Sequence, residues 1–262
     1  MRIAFSKYHG AGNDFILIED IRERFPEKDA FLIARLCDRH TGIGADGLML
    51  LRNSDRSDFS MLYFNSDGYP GTMCGNGGRC ILAFARDCGL IRGGGPFVFA
   101  AADGLHRAVF LEKDRVRLKM RDVDNIREQL GGYRIDTGSI HHVEYVDKLV
   151  DIDVEGRGKA IRRDPAYAAD GGCNVNFVEC LRNDSIAIRT YERGVEAETL
   201  ACGTGSVATA MAQHYRGSPE QRYTIRARGG ELSVDFQFLD GVYREVHLEG
   251  PVNFVFRGDI EI

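Results

Sequence analysis

No apolar run in the sequence approaches the roughly 18 residues that a bilayer-spanning helix needs, and the opening, MRIAFSKYHGAGNDF, holds no apolar core of signal-peptide length. No membrane partner is expected, and the cytoplasm is the default compartment. There is no Lys or Arg block either: 34 basic residues against 39 acidic ones leave a net charge of −5, which gives no general attraction for phosphate backbones. Nucleic acid is therefore not an expected partner. The cysteines number seven, an odd count, and a reducing compartment disfavours bridges, so free thiols are expected in place of a disulfide framework. Metal-ligand spacing is missing as well. Zinc cysteines usually have roughly two to four residues between them, whereas Cys74 and Cys80 have five and Cys173 and Cys180 have six. No metal is expected.

The composition, 44% hydrophobic and 28% charged over 262 residues, is that of an ordinary globular chain long enough for one large domain or two of about 120 to 130 residues. Two short stretches stand out. MCGNGGRC (73 to 80) and LACGTGSVATAMA (200 to 212) each place a cysteine before glycines, a small polar residue and a helix-forming run. Each follows a strand-like alternation, FSMLYF (59 to 64) and SIAIRTY (185 to 191). The helices are expected to end at Gly89 and Gly217. Cys202 follows Cys74 by 128 residues, close to half the chain, as an internal duplication would produce. Two similar halves are expected, joined near RLKMRDVDN (117 to 125). Turn signals such as LRND, RGGE and FLDG favour hairpins over crossovers, hence an α+β fold with largely antiparallel sheets.

Two glycine patterns, GIGADG (42 to 47) and GTGSVA (203 to 208), fit the dinucleotide fingerprint only literally. The first is followed by a strand, and the second lacks the acidic residue expected about 20 positions on. His141 and His142 are adjacent, so on a strand they point to opposite faces and cannot converge on one ion. His106, His214 and His247 read as ordinary surface or core histidines, and Cys37, Cys88, Cys173 and Cys180 as buried apolar packing.

A cysteine at the first turn of a helix faces unpaired N–H groups and the positive end of the helix dipole, which lower a thiol pKa from about 8.5 toward roughly 3.5 to 7.5. The same amides can hold a carboxylate that glycines allow to approach closely. Two such loops brought face to face would put one sulfur on each side of a bound carbon. One thiolate takes the proton from one face and the opposing thiol delivers one to the other, while the helix N-termini meet the developing charge. That chemistry needs no separate cofactor.

These residues resemble those of the diaminopimelate epimerase family, pyridoxal-independent enzymes that interconvert LL- and meso-diaminopimelate. The resemblance spans the chain and includes HGAGNDF (9 to 15), RHTGIGADGL (39 to 48), FNSDG (64 to 68), NVNFVE (174 to 179) and YERGVEAET (191 to 199). It implies two pseudo-symmetric domains, each a sheet barrel around a central helix: residues 1 to 118, joined by a last strand at about 251 to 262, and residues 119 to 250. It further implies Cys74 and Cys202 as the catalytic bases, with Gly75, Asn76, Gly203 and Thr204 cradling the reacting carboxylate. Asn13, Asn65, Asn174 and Arg193 bind the distal end, where the planar Arg193 fork suits a carboxylate. Glu192 and His141 accept or relay the thiol proton, Glu192 also lying with the substrate-binding residues; His142 is the alternative if the loop register shifts. The chain departs from the family where GSIH (138 to 141) puts Ser139 in place of an amide and Ile140 in place of a proline, and where Gly47 replaces the Gln of some members. Proline and hydroxyproline racemases share the two-thiol logic, but their second loop is entered by Asp, Arg, Ser, Pro where this chain has ETLA. A thiol redox switch and a carboxylate-binding module are the non-enzymatic alternatives. Monomer and homodimer are both compatible with the sequence.

Overall fold

The computed structural model describes residues 1–262 except Thr72 and Lys113. Its contacts divide the chain into two compact units, Met1–Leu118 with Gly250–Ile262, and Lys119–Glu249. In the first, the chain runs β1 (Arg2–Gly10), β2 (Asn13–Glu19), α1 (Ala30–Cys37), β3 (Gly47–Arg52), β4 (Phe59–Asn65), α2 (Gly75–Asp87), β5 (Phe97–Ala101), β6 (Gly104–Glu112) and β7 (Arg115–Lys119). The second holds β8 (Ile126–Gln129), β9 (Gly132–Asp136), β10 (Ile140–Tyr145), α3 (Val154–Arg162), β11 (Asn174–Arg182), β12 (Ser185–Glu192), β13 (Ala197–Thr199), α4 (Gly203–Tyr215), β14 (Arg222–Ala227), β15 (Gly230–Leu239) and β16 (Val242–Pro251). The last strand, β17 (Asn253–Glu261), pairs antiparallel with β1.

The strand pairings within the two units follow the same order. From β1 to β7 the successive pairings are antiparallel, parallel, antiparallel, parallel, antiparallel, antiparallel. From β9 to β16, with β12 beside β14, the order is identical. In each unit one parallel crossover carries an outer helix (α1 or α3) and the other carries the long helix that bears the cysteine loop. The fold is thus α+β with a mostly antiparallel sheet, as the turn signals imply. LRND, RGGE and FLDG all close hairpins, with Arg182 opposite Ser185, Ala227 opposite Gly230 and Leu239 opposite Val242.

Burial explains why the long helices are central. Every residue of α2 from Gly75 to Ala85 is buried, as are Gly203 and Gly205–Ala212 of α4. A helix covered on all sides has its neighbours all round it: α4 packs against β9, β10, β11, β12, β14 and β15. The sheet is correspondingly buried on both faces at β2, where Phe15, Ile16, Leu17 and Ile18 are all inside. On the outer face, Leu32, Ile33 and Leu36 of α1 meet Ile16, Ile18, Leu48 and Leu50. Asp29 and Asp153 cap α1 and α3 by accepting from Leu32 N and Gly156 N. Gly89 and Gly217, at φ 76° and 103°, end α2 and α4 in the left-handed region where glycine is favoured. β13 is absent from the sequence reading. SIAIRTY does not run straight into the second cysteine loop, because β13 folds back on β12 through a turn with Gly194 and Glu196 at positive φ.

Candidate active site

Cys74 and Cys202 are the N-cap residues of α2 and α4, each in extended backbone at φ −108°, ψ 125° and φ −118°, ψ 115°. They stand one residue before the first turn in which the sequence placed them. Neither side chain caps its own helix, and both sulfurs stand at the start of the first turn. The glycine three residues on is closely packed in both copies. A Cβ on Gly77 would lie 2.0 Å from Met49 Cε, and one on Gly205 would lie 2.3 Å from Asn176 Oδ1.

In the first unit, Cys74 Sγ donates to Asn13 Oδ1 at 3.6 Å, and Asn76 Nδ2 donates to the same oxygen at 3.1 Å. Asn13 is oriented by its Nδ2 bond to Asp46 Oδ2. Asp46 and Asp14 both pair with Arg39. Burial alone would raise the Asp14 pKa, but the bonds from Arg39 and Lys7 outweigh it and bring the carboxyl down to about 2. Beneath the loop lies Arg79, fully buried, its Nη2 donating to Asn76 Oδ1 at 2.9 Å and its Nη1 to Gly75 O at 3.2 Å. Desolvation pulls its pKa down to about 10, so it remains a cation, and its charge acts on Cys74. Asn65 ends β4 in a turn closed by its backbone bonds to Tyr69 O and Gly68 N.

The second unit joins most of its expected residues in one network. Thr204 Oγ1 is 3.4 Å from both Cys202 Sγ and Ser139 Oγ, and Ser139 Oγ is 2.9 Å from His141 Nε2. Asn174 Nδ2 donates to Ser139 Oγ and Ile140 O, while its Oδ1 accepts from Arg193 N. Arg193 Nη1 donates to Asp170 O and Gly172 O. Glu192 Oε2 accepts from Thr199 Oγ1 at 2.9 Å. His141 is fully buried, and desolvation together with the Arg193 charge lowers its pKa to about 3. His142, on the opposite face of β10, bonds the Tyr167 hydroxyl through Nδ1 and belongs to the core.

Asn176 and Arg79 are the site residues that sequence reasoning missed. Asn176 shares a strand face with Asn174 in NVNFVE, so period-two spacing could have flagged it. Arg79 sits inside MCGNGGRC, where a charge among glycines and apolar residues was the signal. Two cysteines are not buried as expected: Cys180 is exposed and Cys88 half-buried, because both lie at the outer ends of their elements. None of the seven cysteines is bridged. Among the described residues no three His, Cys, Asp or Glu side chains cluster as metal ligands, and no helix is long and apolar enough to cross a membrane. An open groove of about 680 Å³ lined by Phe25, Glu27, Asp29 and Arg52 contains neither loop cysteine, and its Arg52 is already paired with Asp20 and Glu27.

The fold is that of a class of solved structures that have little sequence in common with this chain. A phenazine biosynthesis protein of the PhzF family from Bacillus anthracis superimposes with a TM-score of 0.78, at 13% identity, over 100% of both chains. A probable proline racemase from Agrobacterium radiobacter does so with a TM-score of 0.72, at 16% identity, over 99% of this chain and 93% of that one. Within that class the sequence is decisive. The diaminopimelate epimerase family pattern matches residues 5–105 and 133–255, and the diaminopimelate epimerase of Flavobacterium psychrophilum is 45% identical over 97% of this chain and 98% of its own. The chain belongs to the diaminopimelate epimerase family.

Proposed function

We propose that this protein is an isomerase that interconverts LL- and meso-diaminopimelate in the cytoplasm, supplying lysine and peptidoglycan precursors. The observation that carries the reading is the matched pair of N-cap cysteines, Cys74 and Cys202, on topologically equivalent buried helices. In the proposed chemistry one thiolate removes the α-proton and the other thiol protonates the opposite face. The carbanion is stabilised because the α-carboxylate sits on first-turn amides at Gly75, Asn76, Gly203 and Thr204, preorganised to meet negative charge. Asn13, Asn65, Asn174, Glu192 and Arg193 hold the rest of the substrate, the half-buried guanidinium of Arg193 supplying a cation for the distal carboxylate.

The test is proton NMR of the reduced protein with LL-diaminopimelate in D2O. Loss of the α-proton signal with appearance of the meso isomer is expected. Exchange with proline or hydroxyproline but not with diaminopimelate would keep the two-thiol chemistry and move the substrate. No exchange with any of them would end the epimerase reading.

A further inference from the structure

The two thiols are supported by different chemistry. Cys74 has the buried Arg79 cation beneath its loop; the position five residues after Cys202 is Val207, an apolar core residue. In its place the second unit offers neutral groups, and their hydrogen-bond directions can be worked out in sequence. Asn176 Nδ2 lies 3.1 Å from His142 O, which can only accept, and its Oδ1 accepts from Thr190 Oγ1 at 3.0 Å. The amide orientation is therefore fixed, and the Asn176 Nδ2 bond to His141 Nδ1, 3.0 Å long, makes Nδ1 an acceptor. A neutral imidazole that accepts at Nδ1 carries its proton on Nε2, and Nε2 faces Ser139 Oγ. Asn174 is oriented in the same way by Ile140 O and Arg193 N, and its Nδ2 also donates to Ser139 Oγ. With both lone pairs occupied, the Ser139 hydroxyl has only its proton to give, and Thr204 Oγ1 receives it. The Thr204 proton is then directed at Cys202 Sγ.

We propose that Asn176, His141, Ser139 and Thr204 form a one-way chain of hydrogen-bond donors ending on Cys202 Sγ, with Ser139 the positioning residue that links the imidazole to the threonine hydroxyl. The chain holds negative charge on the Cys202 sulfur, as Arg79 does for Cys74, and it makes His141 a donor toward the thiolate and not the acceptor of its proton. The charged groups on the neighbouring strand end agree with this. The Arg193 charge opposes a protonated His141, and the Glu192 carboxylate is engaged by Thr199. The catalytic meaning of the chain rests on the two-thiol reading; its existence does not.

The experiment is NMR of the full, reduced chain labelled at cysteine Cβ and at histidine nitrogen, with the cysteine signals assigned from single Cys→Ser variants. In the unsubstituted protein His141 is expected to stay neutral, protonated at Nε2, while Cys202 titrates; an imidazolium appearing as Cys202 ionises would overturn the chain. In Ser139→Ala the Cys202 pKa should rise by about 1, the scale of one charge-assisted hydrogen bond, with Cys74 unmoved and Ser139→Thr restoring the value. An unchanged Cys202 pKa in Ser139→Ala would refute the role given to Ser139. None of these readings needs turnover, so failure here and failure of the epimerase reading are told apart.

Discussion

Replacing Gly205 with Ala sets helix propensity against packing. On an exposed helix the change stabilises by about 1 kcal/mol. Inside this unit the new Cβ would lie 2.3 Å from Asn176 Oδ1 and 3.3 Å from Cys202 Cβ. Asn176 cannot swing aside without breaking bonds to Thr190, His141 and His142 O. Overpacking costs about 1–3 kcal/mol, and each buried bond lost adds about 1 kcal/mol, so packing wins and the variant is expected to be less stable by about 2 kcal/mol. Gly77→Ala is the matched control at the equivalent position. Its Cβ meets Met49 Cε, the far end of a flexible thioether that can rotate away, so the penalty is largely offset by helix propensity and the net change stays within about 1 kcal/mol. Urea unfolding of both variants, followed by circular dichroism, reads the difference. Gly205→Ala should also turn over more slowly, since the Asn176 bonds hold the groups beside Cys202. Equal stability in the two variants, or a more stable Gly205→Ala, would refute the claim that Asn176 is locked.

Cys74→Ser and Cys202→Ser should each abolish epimerisation, because each direction needs one sulfur as base and the other as acid; an NMR exchange assay that finds full activity in either single variant sinks the mechanism. The pH–rate profile should be bell-shaped and report values belonging to the thiol pair, whereas a flat profile through the thiol range would count against it. Asp14, held at about 2 against an ordinary 3.8, contributes stability that is full above the ordinary value and is lost as pH falls from 3.8 toward 2; Asp14→Asn should flatten that part of the acid-unfolding curve. Asp20→Ala strands the buried Arg52 and the amides of Arg24 and Phe25; with Glu27 still paired to Arg52, the expected loss is about 3 kcal/mol by urea unfolding.

Strands β4 and β12, three hairpins and both long helices were legible because each announces itself locally. Alternation marks β4 and β12, a glycine stops α2 and α4, and two-residue turns close the hairpins around Asn183, Gly229 and Asp240. The loop residues were legible through the resemblance, since Asn13, Cys74 and Asn76 fall in quoted motifs and the fold joins them. The second-unit network was not. Ser139 read only as a missing amide, and its meaning depends on the orientation of Asn176, which is set by a threonine on β12 and a carbonyl on β10. Such information lies in the pairing of strands distant in sequence and leaves no periodic trace. Cys180 and Cys88 went astray for a related reason: residue type alone does not say where along an element the core ends.

The unequal support of the two thiols constrains how variants can behave. In the proposed reaction each sulfur serves as base in one direction and as acid in the other, so the Arg79 cation and the four-residue donor chain each bear on both directions. Weakening one support cannot favour one direction over the other in kcat/KM, because the ratio of the two values is fixed by the equilibrium between the free isomers. Ser139→Ala should therefore lower kcat/KM by the same factor from LL- and from meso-diaminopimelate. Its kcat values need not fall equally, since they depend on which bound state accumulates. A variant that lowered kcat/KM in only one direction would violate that equilibrium, and such a result would point to a second process in the assay and not to either thiol.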